Sequence, residues 1–190
     1  MNRFTVAVDV DCVLNNLMEK TIEMYNSKYN ASLSMDIFHE YDIFKCLPHE
    51  EAQRFTALFK EHDLWASLQP IKNSQWGIKQ LINRGYEVYL ATATHHSNFS
   101  WKVEWLKHYF GMVPEKNIIC IHNKGLLRVD VLVDDCIDNL LANRWYERIC
   151  LDYPWNRKTW DEVYGIYRTH DWLEIVDTIN EIFEKHMVGG

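Results

Sequence analysis

The stretch Phe4-Thr5-Val6-Ala7-Val8-Asp9-Val10-Asp11-Cys12-Val13-Leu14-Asn15 decides the fold. A β-branched, apolar run ends in two aspartates two residues apart and leads into an amphipathic helical pattern. That places carboxylates at the carboxyl end of a parallel strand, where open α/β sheets hold their ligands. Period-two alternation would put Asp9 and Asp11 on one side, unless the strand is already turning there. Carboxylates this close repel, so the pair favours a bound divalent cation, a shared proton, or both.

Three later elements extend the pattern. The run 86–94 reads as a second strand that ends in the hydroxyl residues Thr92 and Thr94. Lys124 follows, in Ile121-His122-Asn123-Lys124-Gly125, and the run 129–135 is a third strand that stops in Asp134 and Asp135. Taken singly these are ordinary: a strand-end hydroxyl, a loop lysine, an acid pair that caps a helix starting near Cys136. In this order they are able to surround one phosphoryl group and one metal ion.

Acid pair, hydroxyl, lysine and acid pair together resemble the haloacid dehalogenase superfamily of phosphotransferases. Within it the chain is most similar to the small 5′(3′)-deoxyribonucleotidases. The likeness includes the helical insert after the first motif, Lys124 ten residues before Asp134, Tyr153-Pro154-Trp155-Asn156-Arg157, and the segment from Arg168 to Ile175. It is least diagnostic over residues 17–72. Cys12 stands where most relatives carry glycine, which leaves the geometry of that loop open.

The resemblance implies a division of labour. A phosphate monoester hydrolyses very slowly unaided, so a nucleophile, charge neutralisation and a proton for the leaving alkoxide must be supplied. Asp9 is the expected nucleophile, forming an aspartyl-phosphate, and Asp11 the acid/base. Asp11 would then have to carry a proton when the ester arrives. Thr92, Ala93 and Lys124 are expected to bind the phosphoryl group. Mg²⁺ is the expected cofactor, on the Asp9 carboxylate, the Asp11 carbonyl and an acid of the Asp134–Asp135 pair. Asp135 is favoured as the direct ligand, with Asp134 orienting a water or Lys124. The implied substrate is a small phosphomonoester, a nucleoside monophosphate and by resemblance a deoxyribonucleotide; sugar phosphates would suit the same core.

Composition bounds the alternatives. The chain has 190 residues, 47% apolar and 14% aromatic, enough for one packed domain with a small insert. A net charge of −7 and the lack of any dense Lys/Arg run argue against a nucleic-acid polymer as partner. Five scattered cysteines suggest a reduced, cytoplasmic chain with neither disulfides nor a zinc site. The N-terminus runs straight into a strand, so no signal peptide is expected, and no apolar stretch reaches the roughly 18–20 residues of a membrane span. Oligomeric state is left open.

Strand and helix alternate along the chain, which predicts a three-layer, Rossmann-like parallel sheet with residues 1–15 and 73–190 as its core and 16–72 as a helical cap. The first helix shows Leu14, Met18, Ile22, Tyr25 and Tyr29 at helical spacing. Pro48 opens a second helix carrying Ala52, Phe55, Leu58 and Phe59. A helix from Asn73 or Ser74 should stop at Gly85, and one from about Asn98 should bury Val103, Leu106 and Phe110. Further strands are expected at 118–121, 131–133 and 149–151, and Asp171 with Glu174 resembles a capping box for the last helix. Aromatics of the cap (Phe38, Tyr41, Phe44, Phe55, Phe59, Trp65) either form its own small core or stack on a base. His95 and His96 follow the hydroxyl strand, where they could meet substrate, but they read as solvent-facing loop histidines. A response-regulator receiver would place its lysine after the last acidic strand, so the order here excludes that reading. A catalytically silent protein of the same fold is the remaining alternative.

Overall fold

The computed structural model of the chain describes residues 3–95, 98–158 and 161–189. Six strands build one sheet: β1 (Thr5–Val8), β2 (Glu87–Thr92), β3 (Ile118–Cys120), β4 (Val131–Asp134), β5 (Glu147–Leu151) and β6 (Ile166–Thr169). Their order is β3-β2-β1-β4-β5-β6, and each neighbouring pair is parallel. Helices α1 (Leu17–Tyr29), α2 (His49–Ala57), α3 (His62–Ser67) and α4 (Ser74–Asn83) lie between β1 and β2. Then α5 (Phe99–Phe110) follows β2, α6 (Ile137–Leu141) follows β4, α7 (Asp161–Tyr164) precedes β6, and α8 (Trp172–Gly189) comes last. The expected three-layer α/β fold is therefore present.

The order explains the apolar opening run. β1 sits between β2 and β4, so both its edges are paired, and a hydrophobic cluster covers each of its faces, leaving Val6, Ala7 and Val8 wholly buried. On one face Val6, Val8, Leu90, Val131, Val133 and Ile149 pack with Ile78, Leu81, Trp172 and Ile179. On the other, Ala7, Ala91, Leu132 and Cys150 meet Leu127, Leu140 and Tyr146. The first cluster continues through Leu14, Met18, Ile22, Phe38, Phe55 and Leu64, so the segment between β1 and α4 shares one core with the sheet. Strand order reverses direction between β1 and β4, and ligands of open α/β sheets bind at the carboxyl ends beside such a point.

Several local expectations need correction. The first helix begins at Leu17, because the chain turns tightly on Val10 (Leu14 N donates to Val10 O, 2.9 Å; Asn15 N, 3.1 Å); Leu14 is buried ahead of the helix. Tyr29, at its far end, is exposed. In α5 the buried face carries Lys102, Trp105, Leu106 and Phe110, while Val103 is only half-buried. β6 was not foreseen: it is a four-residue edge strand whose central Arg168 interrupts the apolar pattern. Asp171 caps α8 by accepting from Leu173 N and Glu174 N, but Glu174 reaches back to His170 N (2.7 Å), one residue before the capping position.

Trp172 joins the last helix to the first loop. Its ring lies so close to Gly77 that a Cβ there would stand 2.3 Å from it, and its indole donates to Val13 O at 2.8 Å. Glycine in the middle of α4 is thus the condition for this packing. Among the described residues no helix is long and apolar enough to cross a membrane.

Candidate active site

Asp9 follows β1 directly, and its N–H continues the ladder to Val133 O (2.9 Å), which delivers its side chain beside the end of β4. There it meets Asp134 and Asp135: one carboxylate oxygen from each of the three buried acids lies within 4.8 Å of the others. Lys124, only 1% exposed, donates to Asp9 Oδ1 (2.5 Å) and to Asp134 Oδ2 (2.6 Å). It is therefore a buried counter-ion and not a solvated loop lysine. Asp134 is saturated, since it also accepts from Cys136 N (2.9 Å) and from Asn139 Nδ2. Neither acid caps α6, whose capping residue is Cys136, and Asp138 is exposed.

The loop after β1 sets Asp11. The enclosed Asn15 accepts from Cys12 N (3.3 Å) and Leu17 N (3.1 Å) and donates to Asp11 Oδ1 (3.0 Å). Cys12 sits at φ = 59°, the left-handed region. This is a backbone state that suits glycine, and a cysteine there costs roughly 1–2 kcal/mol. The thiol is buried against the cavity wall, and burial, with Asp135 nearby, pushes it well above the ordinary range.

Lys102 was missed from the sequence. It projects from α5, is 1% exposed, and donates to Asp11 Oδ2 (2.5 Å) and Thr92 Oγ1 (2.9 Å). Both oxygens of Asp11 are thereby held. The available signal was a lysine four residues before Leu106 on an otherwise apolar helix face. Thr92 is fully enclosed and tied to Lys102; Ala93 and Thr94 line the cavity instead.

Under Asp135 lies the turn that follows β5. Trp155 Nε1 donates to Asp135 Oδ2 (3.0 Å), and Asn156 Nδ2 donates to Asp135 O (2.9 Å) and Leu151 O (2.8 Å). The family-like segment 153–157 therefore touches the acid cluster directly.

These groups face a cavity of about 380 Å³. Its polar lining includes Asp9, Asp11, Lys124 and Asp135, with Glu40, Asn98 and Asn139, and its apolar lining includes Leu17, Met18, Phe38, Phe59 and Trp65. Tyr41 and His95 also line it; His96 lies outside the described residues. Phe55 is core, packed on Tyr25, Phe38 and Phe59. The insert's aromatics thus divide between core and cavity, and Phe44 is exposed away from both.

Burial, aided by the charges of Asp134 and Asp11, outweighs Lys124 and pushes Asp9 from 3.8 up to about 7. Asp135 is raised well above its ordinary value by burial and by Asp134 and Asp9. Burial opposes the charge on Lys124, but Asp9 and Asp134 together hold its affinity for the proton above that of a free lysine. One lysine is too little positive charge for this many buried acids. An acid raised on folding stabilises the fold fully below its unfolded value, and that contribution is lost as pH rises through the folded value. In EDTA, melting temperature is therefore expected to fall between about pH 4 and pH 7 on account of Asp9. Scanning calorimetry from pH 5 to pH 8 checks this, and a melting temperature that climbs across the range would refute it.

Solved structures with this fold include a haloacid dehalogenase-like hydrolase from Streptococcus pneumoniae (TM-score 0.64, 9% identity, 93% of this chain and 98% of that one). Another is a hydrolase of the same family from Deinococcus radiodurans, solved with bound phosphate and sodium (TM-score 0.65, 11% identity, 95% and 96% covered). Nearer in sequence is the 5′(3′)-deoxyribonucleotidase of Bacillus subtilis, 30% identical over 168 residues, with 83% of this chain and 95% of that one covered. The enzyme of the same name from Clostridium acetobutylicum is 29% identical over 174 residues, covering 92% and 93%. The sequence profile of the 5′ nucleotidase, deoxy (pyrimidine), cytosolic type C family matches residues 3–187. Every acid of the cluster, both buried lysines and the turn beneath Asp135 fall inside that match, so the chain belongs to this family and is a hydrolase of phosphoric monoesters.

Proposed function

We propose that this chain dephosphorylates nucleoside monophosphates, deoxyribonucleotides foremost, with Mg²⁺ and an aspartyl-phosphate on Asp9. One observation carries the reading: a single cavity lined both by clustered acids with a buried lysine and by Phe38, Phe59 and Trp65. A phosphate fits the first part and a planar base the second. The relatives named as 5′(3′)-deoxyribonucleotidases favour the same substrate class. Residues 16–72 then serve as the cap that supplies the apolar wall.

The donor set suits Mg²⁺: hard carboxylate oxygens, buried, with too few cations of their own. Asp9 and Asp135 would hold it, with the Asp11 carbonyl. Asp134 is the weaker candidate because Lys124, Asn139 and Cys136 N already occupy it. When bound, the ion supplies charge neutralisation to the phosphoryl oxygens.

The chain's own residues do the remainder. Asp9 attacks phosphorus, and Lys124, donating beside it, steadies the charge that develops on the phosphoryl oxygens. Asp11, which must take up a proton against its ion pair with Lys102 when the ester binds, gives that proton to the leaving sugar oxygen and then takes one from the water that cleaves the acyl phosphate. Lys102 and Asn15 fix the rotamer from which Asp11 acts. Thr92 contributes by anchoring Lys102, and Ala93 and Thr94 bring the end of β2 to the phosphate.

Phosphate release with Mg²⁺ across deoxy- and ribonucleoside 5′- and 3′-monophosphates and several sugar phosphates tests the substrate class. Turnover of sugar phosphates alone would keep the mechanism and replace the substrate. In the same assay Asp11→Asn should slow turnover by about 10²- to 10⁴-fold while Mg²⁺ binding persists. An unchanged rate would remove Asp11 from its role.

A further inference from the structure

We propose that Trp155 is a positioning residue that orients Asp135 to receive a divalent cation, and that the turn at 153–157 is built to hold it there. The inference rests on the reading of Asp135 as a metal ligand. Asp135 is gripped at two places by consecutive residues of one turn: its Oδ2 by the Trp155 indole (3.0 Å) and its carbonyl by Asn156 (2.9 Å). Among the described residues no other side chain donates a hydrogen bond to its carboxylate. The neighbouring acid is treated differently, since Asp134 is bound by the ammonium of Lys124.

The chemical distinction matters. An indole N–H is a neutral, donor-only group, so it fixes the direction of a carboxylate and leaves its negative charge uncompensated. With Oδ2 engaged, Oδ1 is the oxygen offered to a cation. Partners of this kind around metal ligands set ligand orientation and contribute substantially to affinity.

The turn itself is braced. Trp155 stacks on Tyr153 with ring centroids 4.4 Å apart and planes 4° from parallel. Asn156 accepts from Tyr153 N (3.1 Å) and from Arg168 Nη1 (2.6 Å), and its carbonyl accepts from Arg168 Nη2 (2.9 Å). Arg168 is in turn held between Asp152 and Asp161. A chain of contacts thus runs from the edge strand β6 to the acid cluster. This gives a purpose to two sequence segments, 153–157 and 168–172, that the catalytic roles alone do not use.

Calorimetric titration of the full chain with Mg²⁺ tests the proposal. Trp155→Phe keeps an aromatic ring beside Tyr153 and on the cavity but has no N–H. Its Mg²⁺ affinity is expected to drop about 10- to 100-fold. Trp155→His places Nε2 at the ring position of the indole nitrogen and should recover part of that loss. Arg168→Lys keeps the charge between Asp152 and Asp161 but loses the fork on Asn156; it should weaken Mg²⁺ in the same direction and serves if the Trp155 variants do not melt cooperatively in EDTA. Unchanged affinity in the folded variants, beside measurable binding by the wild type, overturns the inference alone. Equal losses in the Phe and His variants also overturn it, since bulk and not the N–H would then be responsible. A wild-type chain that gives no Mg²⁺ signal removes the metal reading and this inference together.

Discussion

Asp9→Asn is expected to abolish phosphate release, by about 10⁴- to 10⁶-fold, the scale on which removal of a covalent nucleophile acts. The same variant should melt at or above the wild type in EDTA at pH 8. Burial and the charges of Asp134 and Asp11 push the Asp9 carboxyl up to about 7, so the wild-type fold at pH 8 carries an ion it would rather neutralise. The neutral amide removes that cost and still offers an oxygen to Lys124. Inactivity with undiminished stability is the signature of a group retained for chemistry. Acid-quenched wild type should carry label from a radiolabelled substrate phosphate, released by hydroxylamine, and the variant none. Label retained in Asp9→Asn would move the nucleophile elsewhere.

Lys124→Met should fail differently, in fold and function at once. Lys124 pairs with Asp9 and Asp134 while almost wholly enclosed, and its loss leaves buried acids with no counter-charge. Breaking a buried ion pair by removing one partner costs about 3–5 kcal/mol. For a chain of this length that is a fall in melting temperature of roughly 6–20 °C. The loss should shrink toward pH 5, where the abandoned carboxylates take up protons instead. Turnover should fall by about 10²- to 10³-fold or more in whatever protein remains folded. Melting curves at pH 5 and pH 8 decide it; a variant as stable as the wild type at pH 8 would mean that the lysine's charge is not needed to balance the cluster.

The contrast between these residues and Lys102 shows what a sequence discloses. Asp9, Asp134 and Asp135 were legible because each ends an apolar run, and the end of a parallel strand is fixed by local pattern. Their family-like order then brought Lys124 with them. Lys102 was not legible, since its importance comes from meeting Asp11 across 91 positions, and locally it only mars a buried helix face. Reading Val103 as buried put the stripe one residue out of phase and hid it. Asn15 and Trp155 share that character, acting through a loop closure and a tertiary approach that no periodicity encodes. Thr92 was noticed, but its enclosure against Lys102 was not. β6 escaped because an edge strand needs only one paired side, and Arg168 in its middle serves the turn before it.

The sheet order also governs how the protein is made. β1 precedes both of its partners, β2 and β4, in the chain, and Lys124 stands 115 positions after Asp9. At ordinary synthesis rates of about 5–20 residues per second, the wait for that lysine is roughly 6–23 s. Throughout it β1 lacks β4 at one edge and Asp9 lacks its counter-charge. Until β4 emerges the nascent chain therefore carries an unpaired strand edge, the kind of surface through which folding intermediates aggregate.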